Sequence, residues 1–208
     1  MKKILLILLA SLSFTNCKNS KNETEFDSHK IKNINEIVKT VILEDSLNVL
    51  INGIGSGMFC EELIKLDIHI PEKRKDNEPI PPPPLPSFND ISIENLLFFK
   101  IENEMFFTSK DSLNLLQQNL NPKKLKIERN VVPKINLTTK EKEKNKQKKG
   151  KSYNFYEMTI PIFSYDNQKA YLVINHYCSG LCGSGQSIYL KKINGKWKII
   201  DKWLTWIS

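Results

Sequence analysis

Three histidines, four cysteines and eight glycines are all that 208 residues contain. Paired C-x2-C knuckles are missing, and with them the usual scaffold of a structural zinc site. Internal repeats are also missing, which excludes a solenoid or propeller. No cluster of acidic residues or histidines gathers outside one short loop near the C-terminus. A hydrophobic share of 40% beside 26% charged residues excludes a polytopic membrane protein and a wholly disordered chain. The length suits one domain with a proper core and is too short for two large ones.

What is present begins with an address. Met1-Lys2-Lys3 is a short basic start, and Ile4 to Ala10 is an apolar run too short to span a bilayer. The pattern predicts an export signal over residues 1–16. The approach "LSFTNC" ends at Cys17, followed by polar residues, and resembles a bacterial lipoprotein signal. That resemblance implies lipidation of Cys17, although Asn16 stands where a small residue is usual; ordinary cleavage near residues 11–13 is the alternative. Without Lys2 and Lys3, the net charge falls from +8 to +6. Seven lysines in residues 140–151 supply most of the excess, against Glu141 and Glu143. The reading is a solvated, mobile lysine-rich loop over 138–151, with no nucleic-acid partner.

Residues 17–33 read as a flexible polar tether, and 34–208 as a single α+β domain. Ile34, Ile37, Val38, Val41 and Ile42 recur at helical spacing. Residues 59–70 suggest a short helix running into a strand. Six of the ten prolines fall within residues 79–86, which forces polyproline II there. Residues 96–99 and 104–107 suggest two short strands about a Glu102-Asn103 turn. Thr108 or Ser109 caps a helix that Pro122 closes. Residues 153–163, 169–178, 186–193 and 196–203 are strand-like runs, with Asn194-Gly195 a strong hairpin signal. They predict a four-stranded antiparallel meander with the helix-and-strand N-terminal half packed on it. Pro161 belongs at an edge or bulge, and Trp203 and Trp206 are expected to seal the core.

Six glycines fall in two clusters, 53–57 and 180–185, and Cys60, Cys178 and Cys182 lie in or beside them. The first, Gly53-x-Gly55-x-Gly57, resembles the glycine motif of class I S-adenosylmethionine-dependent methyltransferases. Ile51 stands where that motif carries an acid, and no alternating α/β pattern follows, so a structural turn is preferred. The second cluster holds "HYCSGLCGSG". Alternation along 169–178 puts Leu172, Ile174, His176 and Cys178 on one face, which makes His176 a histidine on an apolar face. His176, Cys178 and Cys182 could supply three metal ligands, with Cys60 or His69 as a fourth, but C-x3-C is loose for zinc. A hairpin also lacks the helix N-terminus that activates a redox thiol. An exported chain usually pairs its cysteines. Cys178–Cys182 is the leading pair, and Cys60 with one of them is the alternative.

The last fifty-five residues or so, with "HYCSGLCGSG", then Gly195-Lys196-Trp197-Lys198 and a tryptophan-rich tail, resemble cell-envelope lipoproteins common in Bacteroidota. Ser179 departs from the glycine expected after the first cysteine. The resemblance brings no activity and no cofactor. It implies a lipid-anchored envelope protein, held to a bacterial membrane through its N-terminus, with an envelope protein or polymer as partner. A non-enzymatic binding or scaffolding domain is the leading expectation. An envelope enzyme using a thiol or metal at His176, Cys178 and Cys182 is the alternative.

Overall fold

In the computed structural model the described residues are 20–51 (backbone alone for 20–27), 56–72, 88–118 and 125–208. In chain order come helix α1 (Ser20–Glu44) and strands β1 (Met58–Cys60), β2 (Glu62–Leu63), β3 (Asp67–His69) and β4 (Asp90–Ser92). Helix α2 (Ile93–Phe98), the hairpin β5 (Lys100–Ile101) and β6 (Glu104–Met105), and helix α3 (Ser112–Gln118) follow. Then come β7 (Leu125–Lys126), β8 (Leu137–Thr138) and helix α4 (Lys140–Lys148). The chain finishes on β9 (Asn154–Met158), β10 (Ile162–Phe163), β11 (Lys169–Cys178), β12 (Ser184–Ile193) and β13 (Lys196–Ile207). Cys17, the leader 1–16, Gly53, Gly55, Pro122 and the proline run 79–86 lie outside the described residues.

The α+β class holds, and the C-terminal strands form the antiparallel meander. Seven strands make one sheet in the order β13-β12-β11-β9-β1-β8, with β10 also beside β11. Strand β1 extends the meander by running parallel to both β9 and β8. Between Met158 and Ile162 the first meander run takes four steps while its partner takes three, from Ile174 to Tyr171. Pro161 sits at that bulge, where a missing N–H costs no ladder bond. Asn194 and Gly195 both take positive φ, at 51° and 75°, as a two-residue hairpin turn of this kind requires.

Strand β11 is covered on both faces. Ala170, Leu172 and Ile174 join a core with Ile34, Ile37, Val38, Val41 and Ile42 of α1. Tyr171 and Val173 face a second core with Leu66, Leu96, Phe107 and Leu115. The layers are therefore helix α1, the sheet, and a cover of short elements around α2 and α3. Helix α1 is pinned to the β12–β13 hairpin by buried Asn33, whose Oδ1 accepts from Lys192 Nζ at 2.7 Å and from Trp197 Nε1 at 3.4 Å.

Four local expectations are corrected. The tether is helical from Ser20, because residues 20–33 hold no glycine or proline to stop a nucleated helix from extending. The first part of 59–70 forms strands β1 and β2 rather than a short helix, since β1 gains ladder partners on both sides, while the strand expected before Pro71 is present as β3. Residues 96–98 are helical, not extended, because Ser92 caps α2 by accepting from Asn95 N–H at 3.1 Å. The lysine-rich run is helix α4 rather than a mobile loop. Thr139 caps it, Glu141 and Glu143 lie in its first turn and Lys146 and Lys148 in its last, matching the helix dipole. Glu143 is wholly buried, accepting from Thr138 Oγ1 at 2.6 Å and Lys146 Nζ at 2.8 Å. Lys140 Nζ lies 2.7 Å from one oxygen of buried Glu157, off the axis of a hydrogen bond, and donates to the other at 2.9 Å.

Leu172 is fully buried at the middle of the central strand. Leu172→Ala should lower unfolding free energy by about 2–5 kcal/mol in urea denaturation, with the denaturant slope unchanged.

Candidate functional site

The loop between β11 and β12 is closed by a Cys178–Cys182 disulfide with a Cα separation of 5.9 Å. The local pairing is the one formed, and Cys60 remains a free, buried thiol on β1. Gly180 takes φ 98°, a conformation that side-chain-bearing residues rarely adopt. Ser179, standing in place of the expected glycine, accepts from Tyr153 N–H at 2.8 Å and so ties the loop to the approach to β9. The C-terminus is tied in as well: Gly183 N–H donates to Ser208 Oγ at 3.1 Å. A Cβ at Gly185 would fall 2.0 Å from Trp206 Nε1, so glycine there admits the indole. Trp206 donates to Asn175 Oδ1 at 2.8 Å and packs against Phe88 and Tyr177. Trp203 departs from expectation: it is 56% exposed, and Trp197 fills the core instead.

His176 and Ser184 face each other across the ladder just before the disulfide loop. His176 is half-buried, stacked on Tyr156 at 4.4 Å, with Nε2 2.7 Å from Asn154 Oδ1. Burial pulls its proton affinity below the ordinary imidazole value, opposed by a hydrogen bond to the Cys182 backbone. Gly57, the described glycine of the first cluster, reaches the same point. A Cβ on Gly57 would stand 3.0 Å from Asn154 Oδ1 and 3.3 Å from the Tyr156 ring.

Cys178 and Cys182 spend their sulfurs on each other, so His176, Cys178 and Cys182 do not form a ligand set or a thiol nucleophile. Among the described residues, no three His, Cys, Asp or Glu side chains are grouped to hold a metal ion. His69, the conceivable fourth ligand, pairs on the surface with Asp90 at 2.7 Å. Cys60 is no substitute nucleophile. Burial, reinforced by the charge of Glu157, pushes its thiol up to about 12, with Lys140 opposing. Gly57 leads into strand β1 rather than a helix, which removes the helix N-terminus that the methyltransferase reading of Gly53, Gly55 and Gly57 needs.

What the sequence did not show is the cavity under this loop, about 210 Å³ in volume. Tyr156, Ile174, His176, Ser184 and Gln186 line it from the sheet, and Asp45, Ser46 and Leu47 from the end of α1. Lys202 of β13 closes one side by pairing with Asp45, whose side chain is only 6% exposed. The helix end that builds this wall is a Schellman-type stop. Leu47 N–H returns to Ile42 C=O at 3.2 Å, and Ser46 takes φ 52°. The one sequence clue was the face shared by Leu172, Ile174 and His176. It pointed into the cavity, while the Asp45 and Lys202 sides came from segments far away in sequence.

No family model, curated protein or solved structure gives a significant match to this chain. The site therefore rests on its own geometry. No described helix is long and apolar enough to cross a membrane.

Two outcomes follow. The double variant Cys178→Ser/Cys182→Ser should lose about 2 kcal/mol of stability by denaturant titration, the value for so short a closed ring. For Cys60, the folded thiol stays protonated up to about pH 12, whereas an unfolded thiol ionises near the ordinary value of 9.0. The native state thus holds the extra proton between these values, and stability falls as pH rises through that window, by at most about 1.4 kcal/mol per pH unit from this group. Tyr171 and Tyr177, also pushed up to about 12, add to the fall from near pH 10. Cys60→Ala should therefore delay the onset of alkaline destabilisation, read as melting temperature against pH.

Proposed function

We propose that this chain is an exported cell-envelope lipoprotein, anchored through a lipid on Cys17, whose folded domain binds or scaffolds rather than catalyses. The observation that carries the reading is the Cys178–Cys182 bond. Disulfides persist in oxidising compartments and are rare in the cytosol, and the basic-then-apolar start before Cys17 fits the same address. The polar cavity supports a binding role. Its ionised groups at the rim neutralise each other as the Asp45–Lys202 pair, and His176 is committed to Asn154 and Tyr156. That leaves a surface suited to holding a molecule rather than moving protons. The partner is an envelope component, either protein or polymer, and not nucleic acid. A lipid on Cys17 would place the helix α1 end of the domain nearest a bacterial membrane.

Intact mass of the mature protein, taken with and without reductant, tests the address. The expected species begins at Cys17, carries acyl chains, gains one pair of hydrogens on reduction, and leaves the membrane fraction in a Cys17→Ser variant. An unlipidated chain beginning upstream of Cys17 would overturn the anchor. A mass unchanged by reduction would overturn the disulfide and with it the argument for export.

A further inference from the structure

Helix α4 carries more positive charge than the fold uses, and from that surplus we infer that its outer face docks an extended acidic polysaccharide. The inference narrows the envelope partner proposed above to a polymer, rests on the export address given there, and does not involve the cavity. Of the seven lysines in residues 140–151, two serve the fold: Lys140 pairs with buried Glu157 and Lys146 with buried Glu143. Lys142, Lys144, Lys148, Lys149 and Lys151 are exposed, and none is in an ion pair among the described residues. Glu141 is the one exposed acid of the segment, so its surface keeps an excess of four positive charges.

Helix geometry gathers these lysines. Buried Glu143 marks the inner side of α4. At 3.6 residues per turn, Lys142, Lys144, Lys148 and Lys149 fall on the opposite half, around Asn145, over about 10 Å of axis. Lys151 comes back beside them, because Gly150 takes φ 63° and Lys151 N–H returns to Lys146 C=O at 2.9 Å. An open cleft of about 450 Å³ runs past Lys142, Asn145, Lys149 and Lys151. The helix is also fixed in place. It contains no apolar residue, so no hydrophobic face docks it. Its cap at Thr139 and the two buried carboxylates hold it instead, although desolvating such charges cancels much of their attraction. Apolar contacts would fasten a helix here at lower cost. What the polar version adds is a rigid row of lysines, on which a bound chain need order little of the protein.

The same features select the partner. One exposed ion pair shifts an equilibrium by about fivefold at most, so an inorganic ion or a small acid would not stay bound. An extended acidic chain makes several such pairs at once, and their effects multiply. A membrane surface fits poorly, because α4 has no apolar side chain to enter the acyl boundary. A single nucleic-acid strand would find no platform for its bases, since neither α4 nor the cleft carries an aromatic residue. Carboxylated or phosphorylated sugars need neither.

The test titrates the full-length protein into four labelled probes, followed by fluorescence anisotropy: polygalacturonate, neutral dextran, polyglutamate and oligothymidylate. The expected result is saturable binding of polygalacturonate and none of dextran, weakening about tenfold or more between 50 and 200 mM salt. Lys142→Gln/Lys149→Gln should weaken it about tenfold with the melting temperature in place. Lys191→Gln/Lys196→Gln removes the same charge from the exposed β12–β13 hairpin and should change binding by less than about twofold. Equal weakening in both double variants would overturn the assignment to α4. Binding of polyglutamate or oligothymidylate without polygalacturonate would overturn the polysaccharide, and binding of dextran would overturn the electrostatic basis. Failure of every probe would overturn the docking face, while the lipid anchor is judged separately by the mass of the mature protein.

Discussion

Strand β11 has to be dry on both faces, and most of the molecule is arranged to make it so. Residues 170–175 are all buried, including Asn175, in a strand whose two faces belong to two separate cores. Each large aliphatic side chain there contributes about 1.5–3 kcal/mol only if something covers it. Helix α1 covers one face with a row of isoleucines and valines. The other face is covered piecemeal by α2, α3 and the aromatic residues Phe106 and Phe107. This explains a feature that composition alone does not, namely why so many short elements crowd the middle of the chain. They are a lid assembled from pieces, and their order in sequence matters less than the surface they present together.

A second constraint is electrostatic. Glu143 and Glu157 are 0% and 1% exposed, and burying a carboxylate costs several kcal/mol unless a partner and hydrogen bonds offset it. Lys146 and Lys140 supply the partners, and both belong to the run read from sequence as a solvated loop. The same arrangement keeps Cys60 quiet, because two carboxylates beside a desolvated thiol disfavour its anion. The lysine excess of this segment is therefore less free than its sequence suggests. Two of its seven lysines hold down α4, and the remainder face water.

How much of this was legible depended on whether the cause was local. The meander could be read because strand alternation and the Asn194-Gly195 turn are written in adjacent residues. Helix α1 could be read from Ile34 onward for the same reason. Its extension to Ser20 could not, because polar helix and polar tether look alike until something nucleates them. The lysine run misled because what makes it helical is a pair of buried carboxylates, and burial of Glu143 and Glu157 depends on strands β8 and β9. Strand β1 misled similarly: its partners β8 and β9 lie far ahead in sequence, Phe59 pairing with Leu137 and Met58 with Phe155. In the site, His176 and the Cys178–Cys182 bond were readable as neighbours in one loop. The cavity was not, since its polar walls come from the end of α1, from β9, and from β12 and β13.

That division bears on what the cysteine loop is for. Taken alone, a ring closed between Cys178 and Cys182 stabilises by about 2 kcal/mol, less than a longer closure would, because so few residues are constrained by it. Its position suggests a better reason to keep it. The ring begins two residues after His176 and ends two before Ser184, and these two residues form the last cross-strand pair of the β11–β12 ladder. Ladder ends fray, and a frayed end here would loosen the wall that carries His176, Ser184 and, one turn of the pleat further in, Gln186. Ser179 bonding to Tyr153 and Ser208 bonding to Gly183 fasten the same end from two other directions. Three separate ties on one hairpin tip exceed what a surface turn needs for stability. They match what a cavity needs when its shape must be set in advance, so the loop is better understood as the frame of the site than as the site itself.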